Sequence, residues 1–596
     1  MRPIHLLQLA PALALLAPSQ AQDAHAQLPA APAPPSSTAT GTVTQAGTGV
    51  TRSTVIFCDN LALPSSAVPG LGGASFASFD RPYGSPNGNY VLSADTDLPT
   101  SEDELVLLNG AVVAREGTSV DGVSAELVGL IDTKLGVNDN GDFVYATNTD
   151  GATTADEVIV AQVGGVTSVI AREGDPIPAL PSTTYGTGND ASVITGSGVI
   201  GFSSGAIGGA TTATDELLLL GNTVLLQQGV TVPSGQMASE FIEFVDFDDF
   251  HVSADGLHWI MQGDLTGDTA FDDVAIVDGA VVLQEGVIIP GSGFTDGIDS
   301  SGIVNVFMDA GGNWYARGNN DLTEQDWVVR NGVVIASVGA PIAAGTTEAW
   351  SDVPFPDCFF AHTGNGVGDY VIGGVTDAGV ERDGVLVLNS SFVIAREGDP
   401  VDLDGNGLLD DDTYINTFGN DDVVLTDDLT FYVVATLKDG AGAAAGDVFL
   451  RFDLGDVVGT TFCDAQANST GRPAFIGARG SVVAIDNDLT LAVCELPLAS
   501  NGYFIVSPDQ TVVVNPGNIL GTICVGSTTM GRYANSVLSS GATGTVSMVV
   551  DLTAIPQPTG AVPVMSGATW NWQYWYRDMN PTATSNFSTA VSITFQ

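Results

Sequence analysis

Positive charge is scarce in this 596-residue chain: 16 Lys and Arg stand against 69 Asp and Glu, a formal net charge of −53. A surface this acidic repels phosphate backbones and gains nothing from anionic lipid, so nucleic acid is excluded as a partner. Cysteine is sparser still, at five residues. Cys58, Cys358, Cys463, Cys494 and Cys524 contain no CxxC pair, and the five histidines form no cluster with them. Zinc and haem sites of the usual spacing are therefore excluded. An odd count leaves at least one thiol outside any intrachain disulfide. Beyond the N-terminus no apolar run is long enough for a membrane helix. No Gly-rich loop follows a strand and opens a helix, as phosphate cradling requires.

Glycine is abundant, at 72 residues, and 44% of the chain is hydrophobic. That combination predicts a folded protein that turns often, with its acids on a solvated surface. At the N-terminus Arg2 precedes a short apolar stretch, Leu6 to Ala17. Ser19-Gln20-Ala21 or Ala24-His25-Ala26 then offers small residues for cleavage. Residues 1–26 read as a secretory signal peptide, and 27–52, rich in Ala, Pro, Ser and Thr, as a flexible linker. The expected location is secreted or at the cell surface, where disulfides are permitted.

Six stretches end alike: AVVAREG, SVIAREG, TVLLQQG, AVVLQEG, GVVIASVG and SFVIAREG. Their last glycines, Gly117, Gly174, Gly229, Gly286, Gly339 and Gly398, are spaced by 53 to 59 residues. Each unit carries an Asn/Asp/Gly turn, an alternating strand such as Phe143-Val144-Tyr145, an acidic turn, and a strand of the DELVLL type. With an opening polar-apolar stretch this makes about four strands per unit, the content of a propeller blade. Seven acidic-turn strands occur but only six glycine-ending strands follow them. Residues 53–60 align without gaps to the glycine-ending strands, with Asn60 at the glycine position. They are expected to supply the missing strand of the seventh unit. The expected fold is all-β, a seven-bladed β-propeller over 53–457 (six or eight blades being the alternatives). A C-terminal antiparallel β-sandwich is expected over 458–596, where short strands recur at even spacing.

The units resemble a family of bacterial exported tandem-repeat proteins with an NxxGxxAF motif. Asn138-Asp139-Asn140-Gly141-Asp142-Phe143-Val144-Tyr145 comes near it. The resemblance covers about 55–455 and implies repeated β architecture without assigned chemistry. The C-terminal segment is similar to a domain found in exported proteins of planctomycete-like bacteria. Phe462-Cys463, Asn468-Ser469-Thr470-Gly471, Gly521-Thr522-Ile523-Cys524 and Thr569 to Asp578 carry that likeness. It implies surface or secreted placement and a Cys463–Cys524 disulfide, with Cys494 the candidate odd thiol.

The strongest local motif is Asp402-Leu403-Asp404-Gly405-Asn406-Gly407-Leu408-Leu409-Asp410-Asp411-Asp412. Oxygen ligands from Asp402, Asp404, Asn406, the Leu408 carbonyl and Asp410 match an EF-hand-like calcium loop. Thr413 stands where Glu is usual, so Asp411 or Asp412 would complete the set. A structural calcium ion is expected there. Trp570, Trp572 and Tyr574 alternate on one strand face, which suits either a sandwich core or a platform for sugar rings. Arg115-Glu116, Arg172-Glu173 and Arg396-Glu397 recur and suit either a channel lining or bonds within and between blades. His251, His258 and His362 are isolated and read as structural. Acid pairs such as Asp103-Glu104 and Asp156-Glu157 recur in nearly every unit and read as turn chemistry. Asp246, Asp248 and Asp249 form the best singular acidic cluster within the units.

These features predict a non-enzymatic binding or structural protein of a bacterial envelope, with extracellular polysaccharide or an envelope protein as partner. A calcium-dependent adhesin or carbohydrate-binding module is one alternative. A propeller-type carbohydrate-active enzyme is the other, and it requires a blade-specific carboxylate pair.

Overall fold

The computed structural model describes residues 53–596 except 61, 121–125, 208–209, 321, 324, 344–347, 354–356, 406–410, 456, 464, 472, 518, 527 and 542–543. The expected signal peptide and linker lie outside the described residues. The fold is all-β, built from antiparallel sheets. The helical turns among the described residues are two short 3-10 turns, Pro64–Ser66 and Ala484–Asp486. None of the described helices is long and apolar enough to cross a membrane.

Seven sheets follow one another along residues 53–453, and each begins with an innermost strand. The innermost strands are Phe76–Gly84, Val128–Val137, Asp190–Ile194, Ile242–Val252, Ile298–Met308, Phe359–Gly364 and Thr413–Leu425. They define sheets one to seven. Six sheets complete themselves from consecutive strands. The seventh takes its last strand from the other end of the chain: Ser53–Cys58 pairs antiparallel with Ala444–Asp453. Each innermost strand touches those of the preceding and following sheets, including the first against the seventh.

The sequence explains this local order. The third and fourth strands of sheets one, four and five are joined by two-residue turns, Asn109-Gly110, Asp278-Gly279 and Asn331-Gly332. Both residues have positive φ, 50° and 83°, 52° and 81°, and 49° and 79° respectively. That geometry matches the right-handed twist of the flanking strands and selects Asn, Asp and Gly. The third strands read as unbroken apolar runs because both their faces are buried. Leu105 and Leu107 pack toward sheet seven, and Val106 between them packs toward sheet two.

The recurring glycine hands the chain from one sheet to the next. The amides of Gly117, Gly174, Gly229, Gly286, Gly339 and Gly398 donate to Val128, Tyr185, Ile242, Ile298, Trp350 and Ile415, at 2.7 to 2.9 Å. All six have φ between 62° and 85°. A Cβ on Gly229 would lie 2.2 Å from the Ala213 carbonyl oxygen, so a side chain cannot enter there.

The C-terminal strands form a six-stranded, a three-stranded and a two-stranded sheet. The strand Thr569–Met579 is central to the largest. Its Trp570, Trp572, Tyr574 and Tyr576 pack among Ile476, Leu491 and Val493 of the three-stranded sheet. Trp575 packs on the opposite side with Tyr503, Val525 and Phe587. Cys463 and Cys524 are joined by a disulfide with a Cα–Cα separation of 6.1 Å. Glu495 from these sheets pairs with Arg382 and Arg396 of sheet six.

Candidate functional site

The NxxG turns gather at one end of the seven innermost strands. Asn138 shows what the motif does. Its Oδ1 accepts from the amides of Asn140 and Asp142, at 3.0 and 3.1 Å, which fixes its own turn. Its Nδ2 donates 3.0 Å to the Thr195 carbonyl in the next sheet. Asn365 repeats both roles, donating to Thr426 at 3.0 Å. Further links run from Asn87 to Asp139, Gly196 to Ala254, Ala254 to Ala310, and Asp427 to Pro86, at 2.8 to 3.0 Å.

Beneath these turns lies a cavity of about 140 Å³, walled by residues from all seven sheets. Its wall holds Arg81, Tyr83, Lys134 and His251, and His362, Arg317 and Asp421 lie close by. Lys134 Nζ donates to His251 Nε2 at 3.3 Å and sits 5.1 Å from the centre of the Tyr83 ring. Arg317 makes a bidentate pair with Asp421, at 3.1 and 2.7 Å. His362 Nδ1 lies 3.9 Å from Asp421, and the Phe307 ring stands edge-on to both imidazoles. Burial, followed by Lys134, Arg81 and His362, drives the His251 pKa well below the usual imidazole value. Burial, Arg317 and Arg81 do the same to His362. Both rings are therefore neutral, which lets His251 Nε2 accept from the lysine. Burial raises Asp422 to about 7, opposed by Arg81 and assisted by Asp421 and Asp80.

At the opposite end the acidic turns act between sheets. Glu104 Oε2 accepts from the Ile131 amide of sheet two at 2.8 Å. Glu157 accepts from Gly188 and Asn189 of sheet three. Asp273 accepts from Ile303 of sheet five at 3.3 Å, and Asp326 from Cys358 of sheet six at 2.5 Å. The reading of these acids as turn chemistry is thus corrected. Each of these four acids latches its sheet to the next, satisfying a backbone donor that would otherwise be stranded. The first acid of a pair faces the glutamate of the REG stretch. Burial, then the neighbouring Asp272, brings Glu285 to about 7, and burial, then Asp383, brings Glu397 to about 7.

The recurring arginines do not line the axial cavity. Arg115, Arg172 and Arg396 end the outermost strands and bind within their own surroundings, Arg115 to Glu102 at 3.4 Å, Arg172 to Glu126 at 2.8 Å, and Arg396 to Glu348 at 2.8 Å. His258 is half-exposed and pairs with Asp278 at 2.7 Å. The side chains of Asp246, Asp248 and Asp249 lie outside the described residues.

In the acidic loop, carboxylate oxygens of Asp402, Asp404 and Asp411 lie within 4.8 Å of one another. The amides of Leu403 and Asp404 donate to Asp411 Oδ2 at 2.6 and 3.2 Å. Asp412 is exposed and stands apart from this trio, so Asp411 is the acid brought to Asp402 and Asp404. Asn406, Leu408 and Asp410 lie outside the described residues. Trp570, Trp572 and Tyr574 are 6%, 0% and 0% exposed. Rings enclosed on this scale are core, and they offer no face to a sugar. Cys58 and Cys358 are buried, and Cys494 is half-buried outside the disulfide.

No family model matches the chain, and no curated protein does. Among solved structures it is similar to a subtype N11 neuraminidase-like protein of A/flat-faced bat/Peru/033/2010. That match has 9% identity and a TM-score of 0.25, over 57% of this chain and 90% of the other.

Proposed function

We propose that residues 53–457 form a seven-bladed β-propeller closed by Ser53–Cys58, followed by a β-sandwich. In this reading the protein acts outside the cell as a non-enzymatic binding or structural component. The cyclic succession of contacts among the innermost strands supports the architecture. One observation carries the functional reading. The axial charges are committed to one another, Lys134 with His251 and Arg317 with Asp421, around a space of only about 140 Å³. Such an arrangement braces a core better than it serves a polymeric substrate, since ligand pockets usually enclose about 300–1,000 Å³. The test is binding of the chain from residue 27 onward to a glycan and cell-wall array, with calcium and with chelator. Selective binding is expected. Silence in both conditions, together with hydrolysis of any arrayed glycan, would replace this reading with the enzyme alternative.

A calcium ion at Asp402, Asp404 and Asp411 is the second proposal, supported by the convergence of their oxygens. Hard oxygen donors of this kind suit calcium, which would brace the link between sheets six and seven. A rise in melting temperature with calcium, absent in Asp404→Asn, is the expected result. An equal rise in both proteins would remove the proposal.

A further inference from the structure

The latch position is acidic in six units: Glu104, Glu157, Glu216, Asp273, Asp326 and Asp447. In sheet six it is Gly384. A cavity of about 430 Å³ opens at that junction, between sheets five, six and seven, and Gly384 lines it. A Cβ on Gly384 would meet Glu397 Oε2 at 3.5 Å and the Phe418 ring at 3.9 Å, both ordinary contacts. A side chain would fit at this position, and no backbone requirement imposes the glycine.

Two buried atoms of opposite polarity in the wall lack a hydrogen-bond partner among the described residues. Asp383, 2% exposed, has Oδ2 without a donor. Arg317, 6% exposed, has Nε without an acceptor, its other nitrogens being held by Asp421. Asp383 hydrogen-bonds Glu397, whose Oε1 accepts from Lys438 Nζ at 3.3 Å, so Asp383 Oδ2 is the oxygen of this pair left unmet. Phe360 and Phe418 stack beside them, 5.9 Å apart at 17°, and present phenyl surface to the cavity. Leaving such polar groups unmet costs about 1–3 kcal/mol each, so the wall is built for something that satisfies both.

We infer that this cavity binds a hydroxylated organic ammonium ion of about the size of one amino-sugar ring. Its ammonium group sits against Asp383 Oδ2 and the phenyl rings, which attract cations. A hydroxyl or ether oxygen accepts from Arg317 Nε. The inference deepens the extracellular binding reading, on which it rests, by giving it a pocket and a ligand class.

Glucosamine and glucose, which differ in the ammonium group, are the probes. Isothermal titration of the chain from residue 27 onward should show glucosamine binding at least about tenfold tighter than glucose. Gly384→Glu, which refills the latch position, should abolish glucosamine binding while the melting temperature holds or rises. Val380→Trp plugs the exposed mouth and should weaken binding by a similar factor without touching the core. Equal affinity for the two sugars, no binding of either, or undiminished binding by folded Gly384→Glu overturns the inference. Array binding kept by Gly384→Glu would sink the pocket and leave the extracellular reading standing. A silent array alongside glucosamine titration that Gly384→Glu abolishes would do the reverse.

Discussion

The junctions between sheets five and six and between sheets six and seven use the same repeat differently. At the first, Asp326 reaches across and accepts from the Cys358 amide. At the second, Gly384 cannot reach, and a cavity of about 430 Å³ takes the place of the carboxylate. The difference shows how an array of equal units acquires an unequal site. Glu104, Glu157, Asp273 and Asp326 spend their side chains on holding sheets together, and where Gly384 stands instead the Asp383–Glu397 pair lines a cavity. A substitution that saves or loses a latch should therefore change stability, and the sign should depend on which junction it strikes.

The largest effect is expected at the buried ion pair beside the cavity. Asp421→Asn keeps the left-handed backbone at φ 58° but removes the charge that neutralises Arg317. Stranding a buried guanidinium costs about 3–5 kcal/mol, measurable by urea unfolding. Asp326→Ala comes next: it orphans the buried Cys358 amide, at a cost of about 1–3 kcal/mol. The matched variant Asp383→Ala removes one of two facing carboxyls and should leave the melting temperature level or higher. Equal losses in Asp326→Ala and Asp383→Ala would erase the distinction between the junctions.

A smaller, reversible effect is expected with pH. Burial raises Glu104, Asp273, Glu285, Glu397 and Asp422 to about 7 in the folded chain. Their folded values exceed the ordinary carboxylate range, so the folded state binds more protons than the unfolded one between them. The stability they contribute is full below about pH 4 and is lost as pH rises through about 7. Differential scanning fluorimetry should show the melting temperature falling from about pH 5 to about pH 8, and Glu397→Gln should flatten the slope. A flat profile in the parent chain would contradict burial as the cause.

Strand content was legible because both devices that make it are local. The period-2 pattern marks the second strands, and Asn-Gly and Asp-Gly mark the hairpins that follow the third. The recurring glycine was legible as punctuation, though its role as the donor to the next sheet was not. The axial cluster was illegible. Lys134, His251, Arg317, His362 and Asp421 come from four sheets besides the second, at positions that do not repeat, so periodicity cancels them out. Their one signal is rarity, since a chain with 16 basic residues places three of them, Arg81, Lys134 and Arg317, near one axis. The latches were visible as repeated acids, but repetition alone cannot tell a turn from a bond that crosses to another sheet. The aromatic row left core and platform open, and burial on both strand faces resolves it as core.

The most direct test of the junction account is a paired melting experiment on Asp326→Ala and Gly384→Glu. The account predicts opposite signs: loss of the existing latch lowers the melting temperature, and a carboxylate at the unlatched junction raises it by the worth of about one hydrogen bond, ~1 kcal/mol. A fall in both would contradict it, because the glycine would then be holding the fold and not opening a site in it.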